Sequence, residues 1–342
     1  MQEFRPRLTP EEYDVIKALR GKHTALEAEC EEKGIPVDDV KNYWYKGKHF
    51  SINVKSPTTT YLDVKDIIVA DMLKHAPAYK PFKRENIEDP HLLVIDPADV
   101  HIGKLAVSSE TGEDYNISIA VDRVSTGVEN LIRKCAGFKI DKVLYIIGND
   151  ILHTDNTKRT TTGGTAQDTE GMWHSNFLVA KKLHVSVIDR LRTVADVFVQ
   201  YDPSNHDYMT GFFLADTLSS WFANDKHVSF NANISHRKYF RYHNNLIGTT
   251  HGDGAKEADL PMLMAHETGS DWADCKHKYF YTHHIHHKKS KDYMGVTVES
   301  MRSPSGPDSW HASHGYMHSP KAIEAFIHHP KDGQVARLTN VF

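Results

Sequence analysis

Apolar positions change their spacing near residue 91 of this 342-residue chain, and that change divides it in two. Before the change the pattern is helical. Thr9-Pro10-Glu11-Glu12 is a capping box with proline at the first helical position, and Tyr13, Ile16, Ala18 and Leu19 follow at helical spacing. A second helix is predicted over Thr24 to Lys33, stopped by Gly34, and a third from near Pro36 with Val37, Val40, Tyr43 and Trp44 on one side. Residues 1–57 thus read as a small helical module, and the stretch from Cys30 through Pro36 to Trp44 has helix-turn-helix spacing. Residues 58–90 read as a linker with one helix around Val64–Lys74 and a proline-rich joint from Pro77 to Pro90.

From Leu92 onward the apolar runs become short, rich in β-branched and aromatic residues, and bounded by turn signals. Runs at 92–95, 143–147, 197–199, 246–248, 279–281 and 296–298 read as buried strands. Helical patterns over Ala120–Cys135 and Phe177–Val194 lie between some of them, which predicts an α/β domain over residues 91–342.

Composition narrows the possibilities further. Apolar residues make up 39 % and charged residues 25 % of the chain, which excludes wholesale disorder. A net charge of −4 excludes a global basic field, so any nucleic-acid surface is local. Three separated cysteines, no apolar leader after Met1 and no run near the ~20 apolar residues of a membrane helix predict a cytoplasmic protein without a membrane partner. Most unusual are the 24 histidines, a residue that serves metals, protons and phosphates.

Metal-type side chains follow most of the predicted strands. Asp99-Val100-His101 comes after the first and Gly148-Asn149-Asp150 after the second. Ser204-Asn205-His206-Asp207 follows the third, and His251 and His283-His284-Ile285-His286 follow later ones. α/β sheets place ligand sites at the carboxyl ends of their strands. A carboxylate with a neighbouring imidazole, plus a second carboxylate able to bridge, is the donor set of a two-metal phosphoryl-transfer site.

The succession D-x-H, G-x-D, N-H-D, H, H-x-H resembles the calcineurin-like metallophosphoesterase family, whose pattern is D-x-H, G-D-x-x-D, G-N-H-[DE], H and G-H-x-H. The resemblance covers about residues 92 to 300. It implies a double β-sheet sandwich flanked by helices, and two divalent metal ions: Mn first, with Fe, Zn or Ni also fitting a mixed N/O set. Asp99, His101 and His286 then correspond to the ligands of one ion and Asn205, His251 and His284 to those of the other, with Asp150 bridging. By the same resemblance His206 contacts the phosphate and protonates the leaving oxygen, while Asp207 orients it.

Departures from the family pattern are specific. Asn149 intrudes after Gly148 and His153 stands in place of the second acid, so Asp155 competes with Asp150 for the bridging place. Ser204 and His283 replace glycines. Asp96 lacks a histidine two residues on and reads as a strand-end residue before Pro97. The segment from His153 to His174 reads either as a loop over the site, with His153 meeting substrate, or as solvated surface. Trp310, beside Asp308 and His311, reads as packing, with a place in the cleft as the other reading.

Lys41, Lys46, Lys48 and Lys55, interleaved with Tyr43, Trp44, Tyr45 and Phe50, have the composition that tracks phosphates and stacks bases. Docking of a protein partner is the other reading of that module. With Asp207 rather than Glu after Asn-His, the stretch tilts the expectation towards a DNA-processing phosphodiesterase similar to the SbcD-type exonucleases. A phosphomonoesterase or small-nucleotide phosphodiesterase, and a nucleic-acid-binding protein with an inactive core, are the alternatives.

Overall fold

The computed structural model describes residues 28–33, 42–46, 51–55, 79–84, 87–315 and 317–342. The chain divides into two compact units, Met1–Ile67 and Ile68–Phe342.

In the first unit residues 28–33 are helical. Strands β1 (Asn42–Lys46) and β2 (Ser51–Lys55) then form an antiparallel pair, with Asn42 opposite Lys55 and Lys46 opposite Ser51. The third helix expected to carry Tyr43 and Trp44 is therefore a strand at those residues, and the helix-turn-helix reading loses that part of its second helix. The physical reason is local. Asn-Tyr-Trp-Tyr-Lys has strong strand preference, its partner Ser-Ile-Asn-Val-Lys alternates, and two turns of helical spacing are too few to outweigh them. The predicted helices near Thr9 and Val64, and Lys41 and Lys48, lie outside the described residues.

The second unit is built on two sheets. Strands β3 (His91–Asp96), β4 (Ile140–Gly148), β5 (Asp196–Asp202) and β6 (Val228–Asn231) run parallel. Strands β12 (Ala322–His329) and β13 (Gly333–Val341) add an antiparallel hairpin beside β3, giving the order β13-β12-β3-β4-β5-β6. The other sheet has the order β10-β11-β9-β8-β7, from β7 (Lys238–Tyr242), β8 (Asn245–Thr249), β9 (His277–Thr282), β10 (Lys289–Tyr293) and β11 (Val296–Ser300). Here β8, β9 and β11 are parallel neighbours.

Period-two alternation assigns each face. Leu93, Ile95, Val143 and Tyr145 point to helices α1 (Ile117–Lys134), α2 (Trp173–Leu191) and α3 (Tyr208–Trp221), whose Val128, Ile188 and Leu214 join the same core. Leu92, Val94, Leu144 and Ile146 point the other way and meet Ile247, Tyr281 and Phe326 between the sheets. The outer face of the second sheet, with Phe280 and Val298, is covered by α4 (Leu260–Thr268) through Leu260 and Met264. The result is the expected two-sheet α/β sandwich flanked by helices. Each fully buried aliphatic contributes about 1.5–3 kcal/mol, so the alternation fixes the register of both sheets.

Part of the stretch expected to be a linker packs on this unit. Arg84 donates to Asp196 at 2.6 Å and to the Arg192 carbonyl at 2.6 Å, and the Arg192 guanidinium lies over Tyr79, 4.3 Å from the ring centroid. Among the described residues no helix is long and apolar enough to cross a membrane.

Candidate metal centre

The carboxyl ends of β3, β4, β5, β8 and β9 meet at one edge of the sandwich. Backbone hydrogen bonds stitch the loops after them: Asp99 N donates to Asn149 O at 2.7 Å, His101 N to Asp150 O at 2.9 Å, and Asn149 N to Asp202 O at 3.1 Å. On the second sheet His283 N donates to His251 O at 2.8 Å. A buried ion pair links the sheets, with His283 Nε2 2.8 Å from Asp96 Oδ2. Asp96 is thus the anchor of the His283 turn, a role its place before Pro97 does not reveal. Ser204 and His283, where the family has glycine, are not among the described residues with positive φ.

Left-handed backbone falls instead on several of the chemistry-bearing residues. Asp99, His101, Asp150, His284 and His286 have φ between 51° and 71°. Each such conformation costs of order 1–3 kcal/mol for a residue with a Cβ, and it persists only where the surroundings impose it. Gly148, at φ 91°, needs its freedom for a second reason: a Cβ there would sit 2.0 Å from the Asp202 carbonyl oxygen. This close approach of β4 to β5 delivers Asp150.

Two donor groups result. Asp99, His101 and His286 form one, with His101 Nε2 and His286 Nε2 3.2 Å apart and Asp99 Oδ1 3.4 Å from His286 Nε2. Asp150, His251 and His284 form the other, with His251 Nε2 3.2 Å from Asp150 Oδ2 and 2.8 Å from Asn205 Oδ1. The structure thus gathers Asp99, His101, Asp150, Asn205, His251, His284 and His286 in one place.

Asp155, the rival of Asp150, is elsewhere. Its Oδ1 accepts from Met209 N at 3.0 Å and Thr210 N at 2.8 Å, which anchors the first turn of α3, and its Oδ2 accepts from Thr162 Oγ1 at 2.8 Å. A carboxylate at a helix N-terminus satisfies orphan amides and the helix dipole.

Asp207 does not orient His206. It is fully buried, and it accepts from Ser204 Oγ at 2.5 Å and Leu152 N at 2.9 Å. Ser204 Oγ in turn accepts from Asp150 N at 2.8 Å, so this pair holds the Asp150 turn. Burial, reinforced by the Asp150 charge, pushes the Asp207 carboxyl up to about 7. His206 is positioned by backbone: its Nδ1 donates to the His153 carbonyl at 2.9 Å, which leaves Nε2 for chemistry. His153, expected to meet substrate, is outside the cavity wall. It is 1 % exposed, behind His101 and His206, with its Nδ1 3.3 Å from His101 Nδ1.

A cavity of about 680 Å³ opens over both donor groups, with His101, Asp150, Asn205, His206, His284 and His286 in its wall. Thr161 and Thr165 of the 153–174 segment also line it, and Thr162 N holds the segment in place by donating to Asn205 O at 3.0 Å. That segment is a loop over the site. Trp310 also lines the cavity, 57 % exposed, while its ring stacks on His314 with centroids 4.4 Å apart, so it is a cleft residue as well as a packed one. Sequence reasoning missed Lys104. This 1 % exposed lysine lies 3.1 Å from Asp308 Oδ2; Asp308 Oδ1 is 2.6 Å from His311 Nδ1, and the His311 ring stacks on His286 with centroids 5.1 Å apart. No local signal marks a lysine in an otherwise ordinary turn.

No family model matches the chain, and no curated protein matches it. Solved structures do. One is a novel archaeal phosphodiesterase, at 9 % identity and TM-score 0.34, covering 74 % of this chain and 99 % of its own. Another is the zinc complex of Vps29 from Entamoeba histolytica, at 16 % identity and TM-score 0.32, covering 73 % of this chain and 98 % of its own. A third is a conserved uncharacterized protein, a predicted phosphoesterase, from Streptococcus pneumoniae, at 12 % identity and TM-score 0.28, covering 74 % of this chain and 97 % of its own.

The donor chemistry fits divalent cations. Asp99 and Asp150 are at most 1 % exposed, and their ion-pair partners are the imidazoles of His286 and His251. Two buried carboxylates without a fixed cation demand positive charge from a proton or a metal. His251 shows the demand. Burial works against its charged form, yet the Asp150 carboxylate, with Asp99 and Asp253 behind it, raises it to about 9. Carboxylate, amide and imidazole together suit Mn, Fe, Zn or Ni.

Proposed function

We propose that this chain is a dinuclear-metal-dependent phosphoesterase, and that its substrate is a phosphodiester of DNA. One observation carries the reading: two metal-capable groups, Asp99/His101/His286 and Asp150/His251/His284, reach a single cavity through His101 and His286 of the first and Asp150 and His284 of the second, with His206 in the same wall. In this reading Asn205 would complete the second group and Asp150 would serve both. Bound divalent cations would supply Lewis-acid polarisation of the phosphate and of an attacking water. The residues do the rest. Backbone turns aim the ligands, Ser204 and Asp207 hold the Asp150 turn, and His206 presents a fixed Nε2 for the proton of the leaving oxygen.

The choice of DNA rests on the basic and aromatic stretch of Lys41, Lys46, Lys48 and Lys55 with its tyrosines and tryptophan, and on the motif likeness to SbcD-type exonucleases. A cytoplasmic location and manganese as the working metal belong to the same proposal. The test is Mn-dependent hydrolysis of bis-p-nitrophenyl phosphate, p-nitrophenyl phosphate and labelled DNA, side by side. Cleavage of the diester and of DNA supports the reading. Preference for the monoester would make the protein a phosphomonoesterase, and no hydrolysis with tight DNA binding would make it a binding protein on a phosphoesterase fold.

A further inference from the structure

His153 stands where the family pattern has an acid, and neither donor group nor the cavity wall uses it. It belongs to a third cluster. Coordinating atoms of His101, His153 and His206 all lie within 4.8 Å of one another. His101 stands edge-on to both others, at 88° to His153 and 75° to His206, while His153 and His206 are nearly parallel at 19°.

The one direct nitrogen–nitrogen spacing in the cluster matches that of a metal site. Tetrahedral coordination at M–N distances of 2.0–2.1 Å puts donor nitrogens about 3.3 Å apart. His101 Nδ1 and His153 Nδ1 are 3.3 Å apart, longer than the ~2.9–3.0 Å usual when a ring N–H donates a hydrogen bond. His206 commits its Nδ1 to the His153 carbonyl, so its Nε2 is the atom left to coordinate. His101 and His206 also line the cavity, which gives an ion a way in.

We propose that His101, His153 and His206 form a third cation site, made of imidazole alone, whose filling takes His206 out of the reaction. This inference rests on the dinuclear reading, because His101 and His206 serve that centre too. The donor set names the class of ion. Three ring nitrogens with no carboxylate, His101 giving up its ring proton to solvent so that Nε2 serves the first donor group and Nδ1 the third site, suit Zn²⁺ and its nitrogen-preferring neighbours, whereas Mn²⁺ and Mg²⁺ favour oxygen. Zinc at excess is then an inhibitor of the manganese-loaded protein, and manganese at excess is not.

The full-length chain, stripped of metal and dialysed against graded Zn²⁺ or Mn²⁺, gives the stoichiometry by elemental analysis. Wild type should reach three Zn²⁺ per chain but stop at two Mn²⁺, and His153→Ala should stop at two of either. His206→Ala is the second variant and should also stop at two Zn²⁺, so a misfolded His153→Ala does not decide the matter. In parallel, added Zn²⁺ should lower bis-p-nitrophenyl phosphate hydrolysis by the Mn-loaded wild type at least tenfold, in step with binding of the third ion. Saturation of wild type at two Zn²⁺, or three Zn²⁺ on folded His153→Ala, overturns the third site and leaves the dinuclear reading standing. Fewer than two ions of either metal on wild type overturns both.

Discussion

Two buried histidines should make this fold acid-labile. His184 and His328 are fully buried, on opposite sides of the six-stranded sheet. The Tyr145 hydroxyl lies 2.7 Å from His184 Nδ1 and the Tyr281 hydroxyl 2.8 Å from His328 Nε2. Among the described residues His184 Nε2 and His328 Nδ1 have no hydrogen-bond partner, so a second proton on either ring would have no acceptor. Burial lowers both imidazoles from 6.5 to about 3, with the His277 charge adding to the effect at His328. As pH falls, the unfolded chain takes up these protons first, near 6.5, while the folded chain refuses them until about 3. Stability is therefore complete above 6.5 and is lost as pH drops through that window. Between pH 7 and pH 5 each histidine removes about 2 kcal/mol, together about 4, a large part of a domain's usual ~5–15 kcal/mol. Urea unfolding at pH 7, 6 and 5, compared with the His184→Gln/His328→Gln double variant, measures this. Metal release also steepens the curve, so the difference in slope between the two proteins is decisive: about 2–3 kcal/mol per pH unit near pH 5. Equal slopes would mean that both rings are already charged, or hydrated, in the folded protein, and the argument from burial would fail.

Other expectations concern the site. Asp150→Asn should deplete both bound metals, whereas Asp155→Asn should keep them and loosen the start of α3 by about 1–3 kcal/mol; elemental analysis with thermal melts separates the two. His206→Ala should retain two Mn²⁺ and lose on the order of 10²–10⁴ in kcat on an alkyl diester, with a smaller loss on a p-nitrophenyl diester, whose leaving group needs less help. Equal losses would argue against a proton-donating role. Gly148→Ala should cost roughly 2–6 kcal/mol by forcing β4 from β5, and a near-wild-type melt would contradict the geometry at that turn. If Lys41, Lys46, Lys48 and Lys55 meet phosphates, changing each to Gln should lower the slope of log K against log salt by roughly 0.7 on single strands. An unchanged slope would assign the module to protein docking.

Short-range information made much of this protein legible in its sequence. Runs such as Leu92-Leu93-Val94-Ile95 and Val143 to Ile147 declare buried strands because β-branched and aliphatic residues favour extended backbone and leave no polar face. Since α/β sheets place ligand sites at carboxyl ends, the residues after those strands marked the candidate site. The seven candidate ligands named from motif order lie together in the fold, with His153 and His206 beside them.

What the sequence left open were choices among polar groups that look alike along the chain. Asp150 and Asp155 differ only in whether the β4 turn or the start of α3 receives them. Asp207 follows His206 directly yet turns to Leu152 and Ser204, while a main-chain carbonyl, invisible to any motif, holds His206. His153 lies behind the imidazoles it was expected to accompany, and Trp310 faces a cavity. Lys104 is buried by a partner 204 residues further on, Asp308, and Asp96 by His283, at a separation of 187. The hairpin at Asn42–Lys46 shows the same limit from the other side, because a few apolar residues fit two periods and strand pairing chose between them. Dihedral preference and burial are properties of a few neighbouring residues. Which donor meets which acceptor depends on segments that only folding brings together, and in a buried site that pairing decides what each residue does.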